Sequence, residues 1–243
     1  MRRVPGQYAT SDRWVRRVWT LCLGVSRFNL DTGKAIGVRR VDVPGWSMGM
    51  RETGDDGMSD HDLCPWWMGY FLASPLRRLY QNPERILADH VKAGMVALDV
   101  GSAMGFFTLP MARLVGESGR VIAVDLQEKM LRSLRRRALR AGISGRIETR
   151  TCPSTSLGID DLEDHVDFAL AFAVLHEMPE IKVTLAGIYR SLRHGGRLLV
   201  AEPSGHVTVE EFARTTATAK ECGFEVISTP SIRSSRSVLL AKR

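Results

Sequence analysis

No stretch of this sequence approaches the roughly 18 consecutive apolar residues that a membrane-crossing helix needs, so none is expected. Paired cysteines are missing too. Cys22, Cys64, Cys152 and Cys222 stand far apart with no Cys-x-x-Cys among them. That spacing reads as free thiols in a reducing, cytoplasmic compartment rather than a disulfide frame or a zinc site, with no bound metal expected. Residues 1–57 lack any sustained period of 2 or 3.6. They hold ten Lys/Arg and six Asp/Glu, so +4 of the net charge of +7 falls in the first quarter of the chain. Only Val18 to Val25 is apolar there, and Arg27 follows it, a poor match to a secretory signal. Asp12 and Asp31 interrupt what would otherwise resemble an arginine-rich transit peptide. The expectation is a flexible basic extension over 1–57, with Met58 an alternative start, and a folded domain over 58–243.

What is present centres on Val96-Ala-Leu-Asp-Val-Gly-Ser-Ala-Met-Gly-Phe-Phe-Thr108. A short apolar run ends in Asp99, Gly101 and Gly105 follow, and Thr108 to Val115 reads as a helix. Strand, glycine turn and helix form the usual grip on a nucleotide-type cofactor. Glycine lets the backbone turn tightly and lets a ligand approach it. The dinucleotide fingerprint G-x-G-x-x-G is absent, because Ala103 holds its central position and Phe106 its third glycine.

The arrangement Asp99-x-Gly101-Ser102-Ala103-x-Gly105 resembles motif I of class I S-adenosylmethionine-dependent methyltransferases, of the small-molecule, type 11-like kind. Ala103 stands where that family usually has glycine, and its extra methyl tightens the turn. The resemblance implies that the methionine carboxylate of S-adenosylmethionine lies near Ser102 to Phe106. There, unpaired N–H groups favour an anion. It implies that Asp99 orders the turn and the cofactor's ammonium. Gly119 to Asp125 reads as a buried second strand whose terminal acid, Asp125, is placed to accept from a ribose diol, with Leu126 against the adenine face. Arg146 to Cys152 alternates like a third strand. Its end, Cys152-Pro153, is where the family contacts the adenine edge, often through an acid; no acid stands there, so backbone or hydroxyl groups would make that contact. Val166 to Phe172 is an apolar fourth strand, and Phe172 joins the expected cofactor contacts.

The fourth strand runs into Leu175-His-Glu-Met-Pro179. The Asn/Asp-Pro-Pro-Tyr segment of enzymes that methylate exocyclic amines is absent here, and so is a Pro-Cys nucleophile pair. The segment resembles small-molecule methyltransferases, a group that includes quinone-precursor C-methyltransferases. His176 is placed to take a proton from an acceptor, with Glu177 the lesser candidate, and a pocket-wall role weighs equally.

Trp66, Trp67, Tyr70 and Phe71 precede helix-start signals at Ser74-Pro75 and Asn82-Pro83, the latter leading to Val91. In the family this region, 58–93, carries lid helices, so Trp66, Trp67, Tyr70 and His176 are expected to line the substrate. Packing of those aromatics on the sheet is an equal alternative. Glu128 to Ala141 is an amphipathic helix with Leu131, Leu134, Ala138 and Ala141 in one stripe. Its Lys129, Arg132, Arg135, Arg136, Arg137 and Arg140 read as a solvated face rather than a nucleic-acid surface. Ile181 to Leu192 is a helix that His194-Gly-Gly196 ends, Arg197 to Glu202 a fifth strand, and Thr208 to Cys222 a helix with a Thr208/Glu211 capping box. Phe224 to Thr229 and Ser235 to Ala241 close the fold as an antiparallel hairpin. The expected fold is α/β: a Rossmann-like, doubly wound, seven-stranded, mostly parallel sheet with N-terminal lid helices. The expected activity is methyl transfer from S-adenosylmethionine to a small-molecule acceptor, with no membrane partner. Ala103 and the missing acid at Cys152 also suit a cofactor-binding protein that has lost turnover, and the basic balance also suits an RNA-modifying enzyme.

Overall fold

The computed structural model describes residues 81–243. The expected extension over 1–57, the aromatics Trp66, Trp67, Tyr70 and Phe71, and the helix start at Ser74 lie outside the described residues. Asn82 caps the first described helix, α1 (Pro83–Leu87): its side chain accepts from the Arg85 N–H at 3.1 Å, and Pro83 fills a position whose N–H would be unpaired anyway. The helix ends at Leu87, short of the expected Val91. Lys92 donates from Nζ to the Ala88 carbonyl at 2.7 Å just beyond it.

Seven strands follow: β1 (Val96–Val100), β2 (Arg120–Asp125), β3 (Ile147–Thr151), β4 (Val166–Phe172), β5 (Leu192–Pro203), β6 (Glu225–Ser228) and β7 (Ser235–Ala241). They lie in the order β3-β2-β1-β4-β5-β7-β6. β1 through β5 pair in parallel, and β7 pairs antiparallel with both β5 and β6. The central strands β1 and β4 are buried on both faces and mostly apolar, as parallel strands covered by helices on each side are. The helices are α2 (Thr108–Leu114), α3 (Glu128–Arg140), α4 (Ile181–Ser191) and α5 (Val209–Glu221). One core face joins Leu131, Leu134 and Met111 to Phe168 and Leu170 of β4. The other joins Leu185, Ile188 and Leu175 to Leu98 and Val200. Among the described residues, no helix is long and apolar enough to cross a membrane.

The order reverses between β1 and β4, and in such sheets the crevice for a ligand opens at the carboxyl ends of the strands on either side. The register aligns those ends: Val100 faces Val124 of β2 and Ala171 of β4, and Phe172 faces Ala201 of β5.

Two local expectations are corrected. Ala141 is exposed at the end of α3, and Met130 takes its place in the buried stripe beside Leu131, Leu134 and Ala138. Ala141 keeps the angular position of the stripe but is the C-cap, past the last helical residue and next to the left-handed Gly142, where the chain leaves the sheet. Gly195 and Gly196 do not cap α4. That helix stops at Ser191, and β5 starts at Leu192 and bulges, Leu192 pairing with Val166 and Arg197 with Phe168. Within the bulge, the Gly195 N–H donates to the Lys242 carbonyl and the Lys242 N–H to the Gly196 carbonyl. A Cβ on Gly196 would fall 2.8 Å from the Arg193 carbonyl oxygen, so the bulge needs glycine there. The Thr208/Glu211 capping box forms as expected, with both of its hydrogen bonds present.

Candidate active site

The turn after β1 is left-handed three times, at Gly101 (φ 71), Ala103 (φ 46) and Gly105 (φ 84). The Gly101 and Ser102 N–H groups both donate to the Val124 carbonyl, which ties the turn to β2. Space is tight as well as conformation. A Cβ on Gly101 would stand 2.4 Å from Val174 Cγ2, and one on Gly105 2.3 Å from Leu134 Cδ1. Ala103 is the residue with a side chain in this row, and a left-handed conformation costs a non-glycine residue about 1–2 kcal/mol. Ala103→Gly is therefore expected to raise stability by up to about 1 kcal/mol, after allowing for the extra chain entropy that glycine loses. A thermal melt reads this, and a lower midpoint in the variant would show that the turn is unstrained.

Asp125 ends β2 beside this turn. Its Oδ2 accepts from the Ala103 N–H and its Oδ1 from the Gln127 N–H, each at 2.8 Å. An ionised carboxylate has about four acceptor positions, so two remain for a ligand's hydroxyls. Burial pushes the carboxyl up, and the two backbone N–H groups oppose that shift. Ser102 is buried, and its hydroxyl oxygen has no hydrogen-bond partner among the described residues. A buried hydroxyl without a partner costs about 1–3 kcal/mol, which a polar ligand group at the turn would recover. The donor and acceptor set at the turn thus fits a ligand bearing a diol and further polar groups.

Asp99 is buried, and its carboxylate accepts from the Thr108 hydroxyl at 2.5 Å. Its carboxyl is pushed up to about 7, chiefly by burial; the Thr108 hydrogen bond opposes this and the Asp125 charge adds to it. The unfolded residue titrates near 3.8, so the fold prefers the neutral acid. Stability from this group is present below about pH 4 and is lost as pH rises through about 7. Ligand-free protein is expected to melt at a lower temperature at pH 8 than at pH 5 through this group, and Asp99→Asn to flatten the dependence. The same slope in wild type and variant would refute the assignment.

Phe172 closes β4, buried, with its ring 4.4 Å from that of Phe107, which in turn meets Phe106 edge-on at 5.1 Å. Cys152 is buried, its N–H donating to the Asp125 carbonyl, and burial together with Asp125 pushes its thiol up to about 11. It is a packing residue, not a nucleophile. Leu126 is partly buried beside Asp125, and Pro153 is exposed. Trp66, Trp67 and Tyr70 lie outside the described residues.

Beyond β4, Ala173 is also left-handed (φ 57), and its N–H donates to the Ala201 carbonyl of β5 at 2.7 Å. This sharp exit sets Val174 over Gly101 and starts a single 3₁₀ turn, Leu175–Glu177. The turn hangs from Glu202, the acid near the end of β5. Glu202 Oε1 accepts from the Leu175 N–H at 2.8 Å, and Oε2 meets His176 Nδ1 at 2.5 Å. Glu202 is 1% exposed, whereas the His176 side chain keeps 26% of its surface and the residue stands at the rim. Sequence reasoning assigned Glu202 no role; its signal was a charged residue closing the apolar run Leu198-Leu-Val-Ala201. Burial lowers the proton affinity of His176, but the hydrogen bond and charge of Glu202, with Glu177 and Glu211, outweigh it and hold the ring above its ordinary value. Glu177 is pushed up chiefly by burial, against the pull of His176, with Glu202 and Asp125 adding to the rise. The β4 turn and the acid that ends β2 thus stand at the same carboxyl edge of the sheet. Among the described residues, no His/Cys/Asp/Glu group is arranged to hold a metal.

On the basic face of α3, Arg135 pairs with Glu128 and donates to the Thr149 hydroxyl at 2.8 Å, while Arg132 reaches Glu128 at 3.4 Å. Arg137 donates to the Met104 carbonyl, so it braces the glycine turn.

A doubly wound sheet with this strand order, a left-handed glycine turn after β1 and an acid closing β2 define a class I S-adenosylmethionine-dependent methyltransferase. A family model described as a methyltransferase domain matches residues 91–233, and the chain belongs to that family. It is 32% identical over 136 residues to the ubiquinone/menaquinone biosynthesis C-methyltransferase UbiE of Marinomonas sp., covering 56% of this chain and 53% of that protein. It is 33% identical over 135 residues to the protein of the same name from Azotobacter vinelandii, covering 56% and 52%. The chain thus spans about half the length of the curated relatives it matches. Among solved structures, a SAM-dependent methyltransferase from Aquifex aeolicus aligns with a TM-score of 0.66 at 21% identity, over 73% of this chain and 98% of that one.

Proposed function

We propose that this methyltransferase acts on a small molecule whose reacting atom gives up a proton, and that His176 Nε2 accepts it. The observation that carries this reading is the His176 ring itself. It stands at the rim of the cleft, one turn from Val174 and the Gly101 turn, with Nδ1 committed to Glu202 and Nε2 making no hydrogen bond among the described residues. In this reading Asp125 holds the ribose hydroxyls, the Ser102–Phe106 turn takes the methionine end, and Asp99 faces its ammonium. Leu126, Cys152, Pro153 and Phe172 surround the adenine. S-adenosylmethionine supplies an already activated methyl group. The protein's task is to hold the acceptor in line, exclude water and remove one proton, and alignment alone is worth up to about 7–11 kcal/mol. As the acceptor's electron pair forms a bond to the methyl carbon, the bond from that carbon to the donor's sulfonium would break with its electrons left on sulfur, while the acceptor's proton passes to Nε2 and the imidazolium is stabilised by Glu202.

The names of the relatives point to quinol precursors as acceptors. The test offers methyl-labelled S-adenosylmethionine with a hydroquinone bearing a free ring C–H, a catechol, a primary amine and total RNA. Label in a small aromatic product is expected. His176→Ala is expected to lower its formation about a hundredfold, within the range of general-base catalysis. Label in RNA alone, or full turnover by His176→Ala, would overturn the reading.

A further inference from the structure

The carboxylate of Glu202 is in an expensive place. It lies on β5 among Leu198, Leu199, Val200 and Ala201, all buried. A buried carboxylate is tolerated only when compensated by hydrogen bonds and opposite charge. Its compensation comes from two adjacent residues of the β4 turn, the Leu175 N–H on one oxygen and His176 Nδ1 on the other. A neutral Gln at this position could anchor the backbone N–H equally well, so anchoring alone does not require an acid. What an acid adds is acceptor-only chemistry toward the imidazole. An ionised carboxylate cannot donate, so Nδ1 must carry the proton and the Nε2 lone pair is directed elsewhere.

We propose that Glu202 is the positioning residue of the site, fixing the Nδ1–H tautomer of His176 and stabilising its protonated ring. The assignment of a proton-accepting role to Nε2 rests on the function proposed above; the hold of Glu202 on the ring does not. The other groups around the ring are Glu177 on its own turn, with Oε1 3.9 Å from Nε2, Glu211 on α5, and His206 on the connection between β5 and α5, its ring centroid 6.1 Å away. Among these, Glu202 alone is buried and hydrogen-bonded to the imidazole. Glu177 stands beyond hydrogen-bond distance, and Glu211 is committed to capping α5 through the Thr208 N–H at 2.7 Å. The charge that decides the state of His176 therefore comes from β5, not from the turn that carries the histidine.

The experiment is nitrogen-15 NMR on the full chain labelled at its six histidines, with the His176 signal assigned from the spectrum of His176→Gln. In the wild type, the neutral ring is expected as the Nδ1–H tautomer with its titration midpoint above the ordinary histidine value. In Glu202→Gln, the midpoint is expected to fall by about one pH unit, a tenfold loss of proton affinity. Calorimetry with S-adenosylhomocysteine is expected to give an affinity within about twofold of wild type, since Glu202 lies outside the proposed cofactor grip; a gross loss would return Glu202 to a purely structural role. An Nε2–H tautomer in the wild type, or an unchanged midpoint in Glu202→Gln, would overturn the proposal. Should Glu202→Gln fail to fold, the wild-type tautomer and the midpoint in Glu202→Asp decide it, because a shorter acid that leaves the ring unchanged would equally refute the role. Full turnover by His176→Ala would remove the base and leave the spectroscopic result standing, so the two readings fail separately.

Discussion

Replacing Asp125 with alanine is expected to weaken binding of S-adenosylmethionine about a hundredfold, the loss of two charge-assisted hydrogen bonds at roughly 1.5–3 kcal/mol each, tempered by water taking their place. The proposed contact is with the ribose diol, but the carboxylate already has work in the ligand-free protein. It accepts from the Ala103 N–H across the glycine turn and from the Gln127 N–H at the start of α3. Removing it would therefore strip the proposed ligand contact and also loosen the turn proposed to receive the rest of the cofactor. Asp125→Asn separates the two effects. Its amide oxygen can still accept from one N–H, so the melting point is expected to fall less than in the alanine variant while affinity falls almost as far. Isothermal calorimetry alongside thermal melts makes the comparison. Unchanged affinity in both variants would remove Asp125 from the cofactor site.

Gly101→Ala is expected to be strongly destabilising. Its Cβ would meet Val174 Cγ2 at 2.4 Å and Val174 Cβ at 2.9 Å, and the residue sits at φ 71. Overpacking costs about 1–3 kcal/mol and the left-handed backbone about 1–2, giving a loss near 3–4 kcal/mol. For a domain of this size, that is a fall in melting temperature of about 10 °C. Gly105→Ala meets the end of a leucine side chain at Leu134 Cδ1, which can rotate aside more readily than the stiff, β-branched Val174. Its loss is expected to be smaller. A Gly101→Ala protein that melts as the wild type does would show that Val174 is free to move, and with it the His176 turn.

The parts of this architecture that sequence could reveal are those written in local pattern. Val166 to Phe172 is an unbroken apolar run with the length of a strand, and it is one. Thr208 and Glu211 stand three apart and form the capping box that this spacing promises. Asp99, Gly101, Gly105 and Asp125 declare themselves through spacing along the chain, because one strand–turn–helix unit and the strand after it bring them together. The start of β5 was hidden, because glycine after a helix looks like a cap whether the chain then turns or bulges. The link between His176 and Glu202 was hidden for a deeper reason. They are 26 residues apart, and only the parallel pairing of β4 with β5 makes them neighbours. Nothing local to either residue announces the other. The left-handed Ala103 and Ala173 are also silent in sequence, since alanine gives no hint of positive φ.

The way the β4 turn is hung has a further consequence. Ala173 and Leu175 give their N–H groups to β5, and His176 gives its Nδ1 to the same strand, whereas the glycine turn and Asp125 are tied to β2 and α3. The two walls of the cleft thus belong to opposite halves of the sheet and meet at the contact between Val174 and Gly101. In the proposed function, substitutions along β5 or its neighbour β7 would re-aim the wall that carries His176 while the wall proposed to hold the cofactor keeps its shape. On that reading, what is methylated and how the methyl donor is held are set by separate parts of one sheet.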